Sequence, residues 1–352
     1  MANLTSEYER LLAGGIPLLD VRSPGEFARG AFPDAVNLPL LTDDERHRVG
    51  IRYKQAGGDA AVELGERLVS GDTRQTRMAA WRSWACAHPE GALYCWRGGL
   101  RSQIVQEWLS ADGHTPARIV GGFKALRGFC LKTLDRDVSW VVLAGRAGCD
   151  KTGILERIPR SVDLEGLANH RGSAFGKRDT PQPPPIAFEN ALAVRVLQLT
   201  SDVAPARFGA SLRTPVAVED ESRTIGRLAV PRNVFAGMQR APVVVVEAPR
   251  EDRIERIYRG YVAEDEGARA RLEQALDNIE RRLGGERHRA VRREMQHAFE
   301  TGAPDRHRAW IALLLDWYYD PMYDYQLAQK AERVAFRGVR ADVTEYLARA
   351  TR

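Results

Sequence analysis

Twice in this chain a short apolar strand runs into a glycine-containing loop that opens a helix, at Ala92–Ser102 and again at Trp140–Thr152. That unit belongs to open, largely parallel α/β sheets, where strand-end loops gather backbone N–H groups at helix N-termini. Two such cycles in 352 residues exceed one typical core and fit two domains. Around the first cycle, Ile16–Val21, Ala35–Leu38 and Arg118–Val120 have the composition of short strands. Ser23, Pro24 and Glu26 are spaced as a capping box with proline at the first helical position. Helical spacing covers Thr73–His88 and Leu100–Leu109, the latter with Ile104, Val105 and Trp108 on one side. After the second cycle come strand candidates Pro215–Val218 and Val243–Val246, and a proline-rich stretch, Thr180–Pro185, that cannot be a helix interior. From Arg250 to about Trp317 the pattern is almost entirely helical. The expected boundary lies between Leu134 and Ser139, giving domains 1–135 and 139–352.

Composition narrows the class. Hydrophobic content of 44% with 28% charged residues is that of a globular protein, and apolar runs such as Val243–Val246 are strand-sized, too short to span a membrane. The opening MANLTSEYER is polar, unlike a signal peptide, so the cytoplasm is the expected compartment. Cys86, Cys95, Cys130 and Cys149 show no paired spacing, which argues against a disulfide framework or a zinc knuckle. Net charge is +5, and six arginines fall between Arg281 and Arg293 against the single acid Glu286. Such a cluster suits a polyanion, and equally a solvated helix face.

In the first loop, Cys95-Trp96-Arg97-Gly98-Gly99-Leu100-Arg101-Ser102, a cysteine sits between a strand and a helix N-terminus. Converging N–H groups there bind an anion and favour the thiolate, with Arg97 and Arg101 adding positive charge. Gly98 and Gly99 let the backbone curl. Cys95 is therefore the candidate nucleophile, suited to carrying a sulfur, selenium or phosphoryl group. Together with LLDVRSPGEF near the start and VGGF near residue 122, this loop resembles the rhodanese domain, in which the strand-end cysteine takes up a chalcogen as a persulfide or perselenide. The resemblance covers about residues 5–130, with Asp20 and Arg22 matching the early, chiefly structural signature. Cys95 to Arg101 is also C-x5-R, the spacing of rhodanese-like cysteine phosphatases, but a phosphatase needs a general acid and this loop has none.

The second loop, Gly145-Arg-Ala-Gly148-Cys149-Asp150-Lys151-Thr152, follows a strand and opens a helix as a P-loop does, with Gly145, Gly148, Lys151 and Thr152 as diphosphate-binding candidates. Asp150 stands where the pattern requires glycine, adding a negative charge beside an anionic ligand and partly neutralising Lys151. Further on, an apolar strand runs into Glu219, Asp220 and Glu221, acids that in a P-loop fold hold a metal-bound water or position a nucleophile.

A rhodanese domain followed by a P-loop domain, together with YCWRGGLRS (94–102), HRGSAFG (170–176), QPPPIAFEN (182–190), VEDESRTIG (218–226) and YYDPMYDYQ (318–326), resembles the bacterial tRNA 2-selenouridine synthase family over essentially the whole chain. The resemblance implies an α/β fold: a rhodanese-like domain with a parallel sheet, then a P-loop NTPase-like domain with a helical, basic C-terminal part. It implies replacement of sulfur by selenium in wobble 2-thiouridine, in the anticodon region of tRNA. Selenophosphate is the selenium donor and the intermediate is S-geranylated from geranyl diphosphate. By the same resemblance Cys95 is the essential residue and the P-loop residues hold the geranyl donor's diphosphate. The implied co-substrates are selenophosphate and geranyl diphosphate; no cofactor is tightly bound, Mg2+ is a candidate companion of the diphosphate, and no membrane is involved. Arg281, Arg282, Arg287, Arg289, Arg292 and Arg293 are the candidate tRNA contacts, three of them sharing a helical face at i, i+3 and i+4. Tyr318, Tyr319, Tyr323 and Tyr325 suit base stacking or, equally, a packed core. Two alternatives stay open: a tRNA-binding or sulfur-relay protein with a degenerate P-loop, and a rhodanese-like phosphatase.

Overall fold

The computed structural model describes residues 3–201, 214–264 and 267–352. They form two compact units, Met1–Arg136 with Pro184–Arg207, and Asp137–Pro183 with Phe208–Arg352. Among the described residues no helix is long and apolar enough to cross a membrane.

In the first unit five strands, β1 (Leu4–Thr5), β2 (Leu18–Asp20), β3 (Val36–Asn37), β4 (Ala92–Tyr94) and β5 (Ala117–Ile119), form a sheet in the order β1-β5-β4-β2-β3. All pairings are parallel. Every residue of the neighbouring strands β2 and β4 is buried, as parallel strands covered on both faces require. Leu19, Leu93, Trp81, Val105 and Leu109 share one core. The capping box spelled by Ser23 and Glu26 is present at the helix Pro24–Ala28. The helices Gly71–Ala87 and Leu100–Ala111 lie where the periodicity places them. The long helix Asp43–Leu68 was not legible. It is mostly exposed, it lacks an apolar stripe, and Gly57 breaks it at φ +83°.

The helix Pro185–Thr200, within the expected domain 139–352, groups by its contacts with the first unit. Proline occupies its first position, so the proline-rich stretch ends at a helix start. Arg127 pairs with Glu189 and donates to Asn190 Oδ1 at 2.9 Å, and Asn190 Nδ2 donates to the Ala31 carbonyl at 3.0 Å. At Gly30 a Cβ would lie 2.5 Å from Ile186 Cγ2, so glycine there admits the helix.

The second unit carries β6 (Trp140–Ala144), β7 (Ser161–Val162), β8 (Val216–Glu219), β11 (Val243–Glu247) and β12 (Val334–Val339), in the order β12-β11-β6-β8-β7. All pairings are parallel. A small antiparallel hairpin, β9 (Thr224–Ile225) with β10 (Leu228–Ala229), lies between β8 and β11 in sequence. The chain leaves β6 toward β7 and β8 on one side and later adds β11 and β12 on the other. The carboxyl end of β6 is thus a topological switch point, where open parallel sheets bind ligands. Helices Ala268–Asn278, Gly285–Thr301 and Pro304–Leu314 form a separate core around Leu276, Val291, Met295 and Trp310. The helical expectation for 250–317 holds for the described residues; 265 and 266 lie outside them. The return to a strand at β12 and the closing helix Arg340–Ala350 were not anticipated.

Candidate functional site

Cys95 follows β4 directly and is 3% exposed. Its Sγ lies 3.2 Å from Ser102 Oγ, which also donates to the Gly99 carbonyl at 2.9 Å. The loop is held from the β5 side. The N–H groups of Phe123 and Lys124 donate to the carbonyls of Cys95 and Trp96 at 2.9 and 3.0 Å, and Arg118 donates to the Gly98 carbonyl at 2.5 Å. Gly122 has φ +57°, and a Cβ there would sit 2.3 Å from both the Cys95 carbonyl oxygen and the Gly98 nitrogen. Hence VGGF and the cysteine loop form one interlocked unit. The N–H groups of Trp96, Arg97, Gly98 and Gly99 find no backbone acceptor among the described residues, and the helix Leu100–Ala111 starts directly after them. Donors so placed suit an anionic group beside the thiol.

The two loop arginines differ. Arg97 is exposed, whereas Arg101 pairs with Glu26 through contacts of 2.5 and 3.1 Å. Of the two arginines expected to add positive charge, Arg101 has its guanidinium met by a carboxylate. Burial opposes the Glu26 charge, but Arg101, the Ser23 N–H and Arg46 outweigh it and bring the carboxyl down to about 2. Glu26 therefore has no proton to give a leaving group near neutral pH, and the loop remains without a phosphatase acid. Behind it, buried Arg22 grips Asp20 through Nε and Nη2 at 2.8 and 2.6 Å, donates to the Gly30 carbonyl at 2.9 Å, and lies 3.8 Å over the Phe123 ring.

In the second unit the loop after β6 turns back at Gly148, φ +82°. A Cβ there would meet the Arg253 carbonyl oxygen at 2.7 Å. Arg253, 2% exposed, donates to the Ala147 carbonyl at 2.9 Å and pairs with Asp320, while Arg256 donates to the Gly148 carbonyl at 2.7 Å. Lys151 Nζ donates to the Gly145 carbonyl at 3.0 Å, and Thr152 is exposed at the start of the helix Lys151–Leu155. Cys149 is buried, which pushes its thiol up and makes it filler rather than nucleophile.

Asp150 adopts φ +64°, ψ 41°, the left-handed conformation that glycine takes readily and that aspartate tolerates at a cost of roughly 1 kcal/mol. Its carboxylate pairs with Arg340 at 2.8 Å. The expected neutralisation of Lys151 by Asp150 is thus corrected, since Arg340 meets that charge. Asp150→Gly should relieve the backbone strain, free the Arg340 guanidinium and remove a negative charge. The expected result is a rise of about tenfold in affinity for inorganic diphosphate, worth about 1.4 kcal/mol. Unchanged binding in a calorimetric titration would count against it.

The three acids after β8 diverge. Glu219, buried, accepts the Glu165 N–H at 2.8 Å through Oε1. Asp220 pairs with Lys330 at 2.5 Å. Glu221 meets Glu165, a residue the sequence did not single out. At Gly172, φ +65°, a Cβ would lie 2.4 Å from an oxygen of each, so glycine in HRGSAFG makes room for the pair. Among the described residues no three His, Cys, Asp or Glu side chains converge as an all-protein metal cage would require. Burial, then the charge and hydrogen bond of Glu165, push Glu221 up to about 8. The folded protein then holds this proton while the unfolded chain releases it in the usual carboxylate range. Stability is present below that range and is lost as pH rises through about 8. Glu221→Gln, neutral throughout, should match the parent near pH 4, below the unfolded carboxylate range. Above pH 8 it should exceed the parent by on the order of 2 kcal/mol in urea denaturation. Parallel stability curves across that window would refute the shared proton.

Arg281, Arg282, Arg287, Arg289 and Arg293 are exposed, while Arg292 pairs with Asp277 at 3.0 Å. Of the four tyrosines only Tyr325, 69% exposed, is free to stack; Tyr318 is core, and Tyr319 and Tyr323 have buried hydroxyls.

Residues 138–352 match the family model described as the tRNA 2-selenouridine synthase AAA domain. Proteins named tRNA 2-selenouridine synthase are similar to the chain along nearly its whole length. The one from Bordetella bronchiseptica is 48% identical over 97% of both chains. That from Hahella chejuensis is 47% identical over 98% of this chain and 94% of its own. That from Cupriavidus necator is 47% identical over 97% of both.

Proposed function

The chain belongs to the tRNA 2-selenouridine synthase family, and from that premise we propose that it replaces the sulfur of wobble 2-thiouridine in tRNA by selenium, with selenophosphate as donor and an S-geranylated intermediate. The observation that carries the reading is the pairing, on one chain, of a strand-end thiol among unengaged loop amides with a P-loop at the switch point of a second parallel sheet. Sulfur in a thiocarbonyl is a poor leaving group. Its attack on the first carbon of geranyl diphosphate expels diphosphate, and loss of the base N3 proton leaves an S-alkyl derivative whose C2 is open to a nucleophile. The selenium of selenophosphate then adds at C2 and geranyl thiolate departs; water cleaves the Se–P bond, releasing phosphate and leaving 2-selenouridine.

In this reading the rhodanese-like unit serves the selenium step, with Cys95 as the thiol that step depends on and Arg97, Gly98, Gly99 and Ser102 shaping its anion loop. Arg101 acts as a positioning residue through Glu26. Gly145, Gly148, Lys151 and Thr152 hold the diphosphate, and the exposed arginines between 281 and 293 follow tRNA phosphates with salt-sensitive affinity. The test is nucleoside mass spectrometry of 2-thiouridine tRNA incubated with the protein. 2-Selenouridine should form only when geranyl diphosphate and selenophosphate are both present. Retained tRNA binding with no modified nucleoside would instead favour a binding or relay protein.

A further inference from the structure

We propose that the groove walled by Leu327, Ala328, Ala331 and Val334 holds the isoprenoid chain of the diphosphate donor. The groove lies where the helix Asp320–Ala328 passes into β12, and Asp324 and Arg337 complete its rim. Its volume is about 270 Å³, just below the range for small-ligand sites, ~300–1,000 Å³. The four walls present hydrocarbon alone, with no amide or hydroxyl side chain to read the edge of a base.

Its position ties it to the P-loop. Asp324 on the rim accepts Arg146 Nε and Nη2 at 3.0 and 2.7 Å, and Arg146 is the residue after Gly145. Lys330, between Ala328 and Ala331, pairs with Asp220 just beyond the end of β8. Ion pairs therefore tie the groove's rim to the diphosphate loop and the segment beneath it to the end of β8. Met322, 39% exposed, and Tyr325 extend the apolar surface along the same helix. A ligand with a diphosphate head and a hydrocarbon tail matches this order of charge and apolar surface. The proposal rests on the reading that the P-loop takes an alkyl diphosphate.

The test compares geranyl diphosphate with inorganic diphosphate by calorimetric titration. The full-length protein should prefer the geranyl compound by about 30-fold, because burial of its carbons adds to the shared head-group contacts. Ala328→Trp and Ala331→Trp place an indole in the groove from exposed positions. Each should reduce that preference to less than about threefold while leaving inorganic diphosphate affinity unchanged. Leu327→Ser, which removes a wall rather than filling the space, should weaken geranyl binding in the same direction. Folded variants that keep the full preference would overturn the groove while the alkyl diphosphate reading stands. A parent protein with no preference would overturn both.

Discussion

Cys95→Ser should lower 2-selenouridine formation by at least about 10³-fold, the scale of losing a covalent nucleophile, while geranylated 2-thiouridine accumulates. Serine keeps the size of the side chain, and a hydroxyl fits beside Ser102 Oγ as the thiol does at 3.2 Å. The loop is built from Gly98, Gly122 and the N–H groups of Phe123 and Lys124, none of which depends on sulfur. Stability and tRNA affinity should therefore stay within about 1 kcal/mol of the parent, and only the chalcogen step fails. The measurement is the ratio of geranylated to selenated nucleoside. A variant losing both products in parallel would contradict the assignment of Cys95 to one step.

The second large effect is on folding. Arg22→Ala should destabilise the first unit by about 3–5 kcal/mol, because it leaves Asp20 buried without its partner. The guanidinium also covers Phe123, which anchors the Cys95 carbonyl, so its loss reaches the active loop. Replacing both partners, Asp20→Asn with Arg22→Met, should recover most of that stability, since neither leaves a bare charge. The exposed pair Glu7–Arg10 is the contrast; breaking it should cost less than about 0.5 kcal/mol. Denaturant titration of the three variants reads these differences directly. A cost below about 1 kcal/mol for Arg22→Ala would show that the buried pair does not hold the unit together.

What could be read from the sequence, and what could not, follows from the range of the interactions. Strands β4, β6 and β11 were legible because their buried apolar runs end in loops with glycine or a charge change. The capping box at Ser23–Glu26 was legible because its partners lie three residues apart. The cysteine loop and the diphosphate loop were legible as local motifs. The partners of their side chains were not: Arg101 finds Glu26 across 75 residues, and Lys330 finds Asp220 across 110. Asp150 illustrates the limit most clearly. Its charge pointed toward neutralising Lys151, yet Arg340 from the last helix meets it. The helix Pro185–Thr200 joins the first unit through Arg127, Asn190 and Gly30, contacts that no local pattern announces. The pair Glu165–Glu221 depends on Gly172, whose significance appears only once three segments meet.

The most direct test of the central claim starts from tRNA already carrying S-geranyl-2-thiouridine, incubated with the protein and selenophosphate but no geranyl diphosphate. The expected result is 2-selenouridine with release of one geranyl thiol per nucleoside, dependent on Cys95. Geranylated tRNA that stays unreactive, while 2-thiouridine tRNA is selenated directly, would contradict the account.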